Sequence, residues 1–275
     1  MSADGMTLYP RSAEVDPVQG EQAVSDTPEV RWEFLHPKEF AERVADCPVC
    51  YMPLGTLERH GSHLPFGLDA LKALGLCQRA AARHGGVVLP PLHWGTHGWW
   101  AEEYRQGLPA NQTMSDDSPT RKQPAGSVYI HEGLLMNLLL AMFREVEYAG
   151  FKVIVALTGH YPASQVQAVK NAALQYMGSS AVKIWALFEP ELSGKVEVGS
   201  DHAGKWETSL LWALYPDSVK MDRCPDPGTG LFLWCNEQAL LASRELGELT
   251  ASYIADELGK GAARLLGEYS TAPHG

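Results

Sequence analysis

Nowhere in this sequence does an apolar run approach the roughly 18 residues that a membrane span requires, so a membrane partner is not expected. A basic stripe is missing too. Lys and Arg total 22 against 33 Asp and Glu, and a formal net charge of −11 would repel phosphate. Nucleic acid is therefore excluded as a partner, and the acidic balance serves solubility. The first residues lack the basic-then-apolar pattern of an export signal; the expectation is a soluble, cytoplasmic protein. Cysteine is scarce: five residues, an odd number, suggest no disulfide framework. Cys47 and Cys50 form a lone Cys-x-x-Cys, with Cys50 inside an apolar run, and are read as ordinary thiols. No internal repeat or second domain is visible.

What is present is enough apolar material for one large core, 45% of 275 residues. Residues 1–29 are polar, rich in Gly, Pro, Ser and acids, and show no period, which predicts a flexible arm. From residue 30 to 275 a single domain is expected. Helices are predicted over 34–45, 69–84, 131–150, 164–177, from Glu207 to 214, and over 237–266, with a break in the last expected near Gly259–Gly261. Apolar runs at 49–54, 87–89, 152–157 and 182–187 read as buried strands. Strands alternating with helices imply an α/β fold: one three-layer domain, its mostly parallel sheet covered by helices on both faces. In such sheets ligands bind beyond the carboxyl ends of the strands.

The chemistry concentrates there. Directly after the first strand-like run come Glu58, His60, His63 and Asp69, held by three glycines and two prolines. Carboxylate oxygen plus neutral imidazole suits zinc, manganese or iron(II). Glu58 and His60, two apart, project to one side of an extended backbone. His160 follows the third run, in Thr158-Gly-His160-Tyr161, at the same sheet edge. A third polar cluster, Asp201-His202-Ala-Gly-Lys-Trp206-Glu207-Thr-Ser, leads into a helix, where carboxylates also cap. Between residues 92 and 123 lies a long connection dense in aromatics, among them Trp94, Trp99, Trp100 and Tyr104. Such a connection is usually functional, as a pocket wall or a subunit contact.

Gly55-Thr-Leu-Glu58-Arg-His60-Gly-Ser-His63-Leu-Pro-Phe-Gly-Leu-Asp69 resembles the first signature of the creatininase (creatinine amidohydrolase) family, Gly-Ser-x-Glu-Gln-His-Gly-Pro-His-Leu-Pro-x-x-x-Asp. Thr158-Gly-His160 resembles that family's Asn-Gly-His, and His202-Ala-Gly-Lys-Trp-Glu207-Thr-Ser resembles its His-Ala-Gly-x-x-Glu-Thr-Ser. The resemblance spans roughly residues 30–255, outside the arm and the aromatic insert. It implies a metal-dependent hydrolase in which Glu58, His60, Asp69, His160 and Glu207 hold one or two divalent ions (Zn, Mn or Fe). Asp69 bridges if there are two. His202 is implied as the catalytic acid/base. Creatininase itself has Glu two residues after the His160 position; here that position is Pro162, which argues against creatinine in particular and leaves Glu207 to supply the missing oxygen or to support a ligand. The substrate implied is a small, cyclic amide cleaved at C–N, or an inosose-type ketone opened at C–C. Trp99, Trp100, Tyr161 and Trp206 are the candidate substrate-binding residues. A homo-oligomer, a hexamer in much of the family, is implied. The rival reading is a non-catalytic assembly protein with a degenerate site, which metal content would separate.

Overall fold

The computed structural model describes residues 28–97, 126–192, 202–225, 235 and 237–271. Nearly all of the N-terminal arm, and Trp99 and Trp100 of the aromatic insert, lie outside these residues. Helix α1 spans Pro37–Asp46 and opens with Pro at its first turn, where no backbone donor is lost. Strand β1 (Val49–Leu54) follows, then α2 (Leu68–His84), β2 (Val87–Val88), the short β3 (Gly95–Thr96) and β4 (Tyr129–Ile130), α3 (Glu132–Tyr148), β5 (Val153–Thr158), α4 (Ala163–Met177), β6 (Lys183–Phe188), α5 (Lys205–Leu214) and α6 (Arg244–Thr271).

β2, β1, β5 and β6 form a parallel sheet in that order, with Val49 opposite Val153 and Val153 opposite Lys183. Side chains alternate across it. Val49, Tyr51, Val153, Val155 and Leu157 pack with α2, α5 and α6 on one face. Cys50, Met52, Leu54, Ile154 and Ala156 pack with α3 and α4 on the other. The central strands are buried at every position, which is why their sequence is a continuous apolar run. This is the three-layer α/β arrangement expected.

One expectation fails. The terminal helix begins at Arg244 after a separate 3-10 turn at Glu237–Leu241, and it runs unbroken through Gly259 and Gly261. A Cβ at Gly259 would lie 2.1 Å from the His84 ring, and one at Gly261 2.1 Å from the Trp185 ring. The two glycines serve close packing against α2 and β6, and burial of that face outweighs their low helix propensity. Among the described residues no helix is long and apolar enough to cross a membrane.

Candidate metal centre

The carboxyl ends of β1, β5 and β6 converge on the first turn of α2. At Gly159 a Cβ would sit 2.1 Å from the Asp69 carbonyl oxygen, and at Gly55 one would sit 2.3 Å from the Ala70 nitrogen. Only glycine lets both strand ends press against α2, and that contact carries Asp69 into the space between Glu58, His60 and His160.

Three imidazoles face three carboxylates. His60 Nε2 lies 3.2 Å from Asp69 Oδ1, 3.5 Å from Glu58 Oε1 and 3.7 Å from Glu207 Oε2. His160 Nδ1 lies 3.1 Å from both Glu58 Oε1 and Asp69 Oδ2. His202 Nδ1 lies 3.6 Å from Glu58 Oε1, and its ring stacks on His60 with centroids 4.5 Å apart. The opposite nitrogen of each ring meets a backbone carbonyl. His60 Nδ1 donates to Glu58 O (3.1 Å), His160 Nε2 to Thr96 O (2.8 Å) and His202 Nε2 to Arg59 O (2.9 Å). A carbonyl only accepts, so each outer nitrogen carries the proton and each inner one turns a lone pair towards the carboxylates. Buried His60 Nε2 and Asp69 Oδ2 accordingly have no hydrogen-bond partner despite these close approaches.

Lone pairs facing carboxylates repel unless a cation lies between them. Without a metal, protons fill that role. Burial pulls His60 down, but the charges of Asp69, Glu207 and Glu58 outweigh it and raise the ring to about 9; His160 is raised in the same way. Burial pushes Glu58 up, yet His160 and His60 hold it at about 2. Donor spacings near 3.1–3.7 Å suit ligands at the roughly 2.1 Å typical of zinc with imidazole and carboxylate. Glu58, Asp69 and His160 form one compact triad, His60, Asp69 and Glu207 another, and Asp69 belongs to both. Outer nitrogens anchored on carbonyls are the usual support of metal-bound histidines. The donor set fits one or two divalent ions.

Glu207 is held from behind. Its Oε1 accepts from Lys72 Nζ at 2.9 Å, and its Oε2 accepts from Ala203 N at 2.7 Å. Ala203 has φ +50°, uncommon for a residue with a Cβ, in the turn between His202 and α5. Lys72, 0% exposed, also donates to Glu189 Oε2 (3.1 Å) and to the Tyr161 hydroxyl, which donates to Glu189 Oε2 at 2.7 Å. Burial pushes Glu207 up, and Lys72, then His60, bring it to about 2; Glu189, where burial outweighs Lys72, ends up raised. Tyr129 Oη donates to Glu58 Oε2 at 2.8 Å.

Glu58, His60, Asp69, His160, His202 and Glu207 are thus brought together as the sequence predicted. One candidate substrate contact is corrected, and a second has its hydroxyl engaged elsewhere. Trp206 is 2% exposed and packed into the α2–α6 core, because the first turn of α5 turns that position away from Glu207. Tyr161 commits its hydroxyl to the Lys72–Glu189 network beneath the carboxylates. Sequence reasoning missed Lys72, Glu189 and Tyr129. A signal for Lys72 existed: it lies three residues after Asp69, on the same face of a helix whose other inward positions are apolar.

The family model Creatininase (creatinine amidohydrolase) matches residues 33–243. Creatinine amidohydrolase of Pseudomonas putida is 31% identical over 207 residues, covering 69% of this chain and 73% of that protein. A 3-dehydro-scyllo-inosose hydrolase of Thermotoga maritima is 21% identical over 206 residues, covering 72% of this chain and 60% of that protein. Two solved structures, a mutant creatininase of Zn-Zn type and a creatininase with Mn, superpose with TM-scores of 0.63 and 0.65; each is 26% identical and covers 86% of this chain and 98% of its own.

Proposed function

This chain belongs to the creatininase family and is a hydrolase, and from that premise we propose that it is a metal-dependent amidohydrolase cleaving a C–N bond of a small cyclic amide. The observation that carries the reading is the set of three imidazoles whose protons are all tied outward to carbonyls while their lone pairs face buried carboxylates. Glu58, Asp69 and His160 would hold one divalent ion, zinc or manganese, and His60, Asp69 and Glu207 a second. Bound there, such ions lower the pKa of water to about 7 and polarise a carbonyl oxygen.

The protein's own groups do the rest. Asp69 turns one oxygen to each triad and so fixes their separation. Tyr129 and Lys72 immobilise Glu58 and Glu207, which keeps the donors from collapsing onto one another. His202, with 44% of its side chain exposed at the mouth, keeps Nε2–H on Arg59 O and uses Nδ1 to take a proton from the attacking water and pass it to the leaving nitrogen. Removing it should cost rate and leave metal in place. Trp99 and Trp100 remain the candidates for stacking on the substrate ring. The assembly is proposed to be a homo-oligomer, a hexamer by the family resemblance, with Leu134 and Leu138 exposed one turn apart on α3 as a candidate contact.

The test is elemental analysis of purified protein, followed by turnover of cyclic amides and of inosose-type ketones with and without chelator. Chelator-sensitive amide hydrolysis is expected. Ketone opening alone would move the chain to the C–C reading, and activity indifferent to chelation would overturn the metal mechanism.

A further inference from the structure

Outside this centre, a second group of metal-type side chains comes together. His63, in the loop after β1, meets Cys224 and Cys235 from the segments between α5 and α6, with donor atoms all within 4.8 Å of one another. His63 is 1% exposed. Its Nε2 lies 3.1 Å from the Thr208 hydroxyl, whereas its Nδ1 is buried with no hydrogen-bond partner. That Nδ1 is turned towards the cysteine side: the Cβ direction of Gly61, whose φ is +65°, passes 2.9 Å from His63 Nδ1 and 3.1 Å from Cys235 Cβ. The backbone anchors the approach, with Lys220 N donating to His63 O at 2.8 Å and Cys224 N to Met221 O at 3.1 Å. Cys235 packs against a small core of Leu64, Leu68, Ala203, Leu211 and Val219.

We propose that His63, Cys224 and Cys235 form a second metal site, one that takes zinc and ties both cysteines to the loop that carries His60. Two thiolates and an imidazole are a zinc ligand set, softer than the oxygen-rich centre nearby, and they leave one position open for water. An ion answers the buried Nδ1, which otherwise carries the cost of an unmade hydrogen bond. A disulfide would not, and both cysteines are thiols. The Thr208 hydroxyl is placed to accept from Nε2–H, the tautomer that points a lone pair at the sulfurs. Burial keeps His63 neutral, with its pKa lowered to about 4, so the lone pair is available at pH 7.

Binding exchanges two thiol protons for the cation and involves no redox step. The experiment uses full-length protein stripped of metal and reloaded with Co²⁺. Only thiolate ligation gives an intense sulfur-to-cobalt charge-transfer band in the near ultraviolet, and the centre at Glu58–His160 offers only oxygen and nitrogen. The expected result is that band, its loss in Cys224→Ser and Cys235→Ser, and a fall of one zinc equivalent per chain in both variants. Alkylation of the zinc-loaded wild-type protein, mapped by peptide mass spectrometry, is expected to spare Cys224 and Cys235 until chelator is added, a readout that requires no variant to fold. A wild-type protein with no band, a band that survives both substitutions, or a Cys224–Cys235 disulfide in the native protein would each overturn the site.

Discussion

Lys72→Met tests whether the candidate centre depends on the buried cation beneath it. Lys72 spends all three ammonium donors, on Glu207 (2.9 Å), Glu189 (3.1 Å) and Tyr161. Methionine keeps much of the volume and removes the charge, leaving two buried carboxylates facing each other. Breaking a buried ion pair from one side costs about 3–5 kcal/mol. At roughly 2–4 °C per kcal/mol for a chain of about this size, the melting temperature should fall by about 6–20 °C. Glu207 should then hold a proton, because its strongest source of depression is gone. A protonated Glu207 grips Ala203 N and faces His60 less well, so metal affinity or turnover should drop about 10–100-fold, the usual effect of losing a ligand's support. Adding Glu189→Gln removes the surplus charge and should restore part of the stability. The assays are differential scanning calorimetry, metal titration and kcat/KM. A variant that melts within about 2 °C of wild type and keeps its rate would refute the role given to Lys72.

Four further outcomes are expected. His60→Ala, Asp69→Ala and His160→Ala should each lower bound metal and abolish most turnover; full occupancy in all three by mass spectrometry would remove the metal assignment. Glu207→Gln should shed at least one ion per chain if Glu207 is a ligand, and keep its metal with a rate reduced about 10–100-fold if it only supports one; metal-to-protein stoichiometry decides. Gly159→Ala should destabilise strongly, by more than about 3 kcal/mol by analogy with overpacked cores, since its Cβ would meet the Asp69 carbonyl at 2.1 Å; a soluble variant with wild-type melting would contradict the close approach. Metal-free protein should be most stable near pH 6–7. Buried His63 and half-buried His97, both lowered to about 4, resist protonation that the unfolded chain accepts below about 6.5, so stability falls with pH there. His60, raised to about 9, contributes stability below about 6.5 that is lost as pH rises through 9. Metal should flatten the alkaline limb, and chemical denaturation across pH checks both.

Glu58, His60 and His160 were legible because each follows a strand end by a few residues, where parallel-sheet topology gathers short polar motifs at one edge, whereas Asp69 and Glu207 sit in the first turns of helices and were legible through the family resemblance. The strands were legible for the same reason: residues buried on both faces write a continuous apolar run. Lys72 and Glu189 were not, because they lie 117 residues apart and each alone resembles a solvated charge on a helix or turn. Trp206 misled because its neighbour Glu207 faces the centre, while successive helical positions point about 100° apart. Gly259 and Gly261 misled for a related reason: propensity suggests a break, and only the rings of His84 and Trp185 reveal a tight contact.

The pair of short strands β3 and β4 has a consequence for how such a chain can diversify. Gly95 pairs with Tyr129 and Thr96 with Ile130, which holds side by side the two parts of the chain that precede and follow residues 98–125. Each side of the clasp also reaches the centre, Thr96 through its carbonyl on His160 and Tyr129 through its hydroxyl on Glu58. With those two ends paired, the number and identity of residues joining them can change without moving a single ligand. On the function proposed above, recognition by Trp99 and Trp100 and catalysis at the metal centre are written in separate stretches of the chain, so a new substrate could be reached by exchanging one stretch over an unaltered set of ligands.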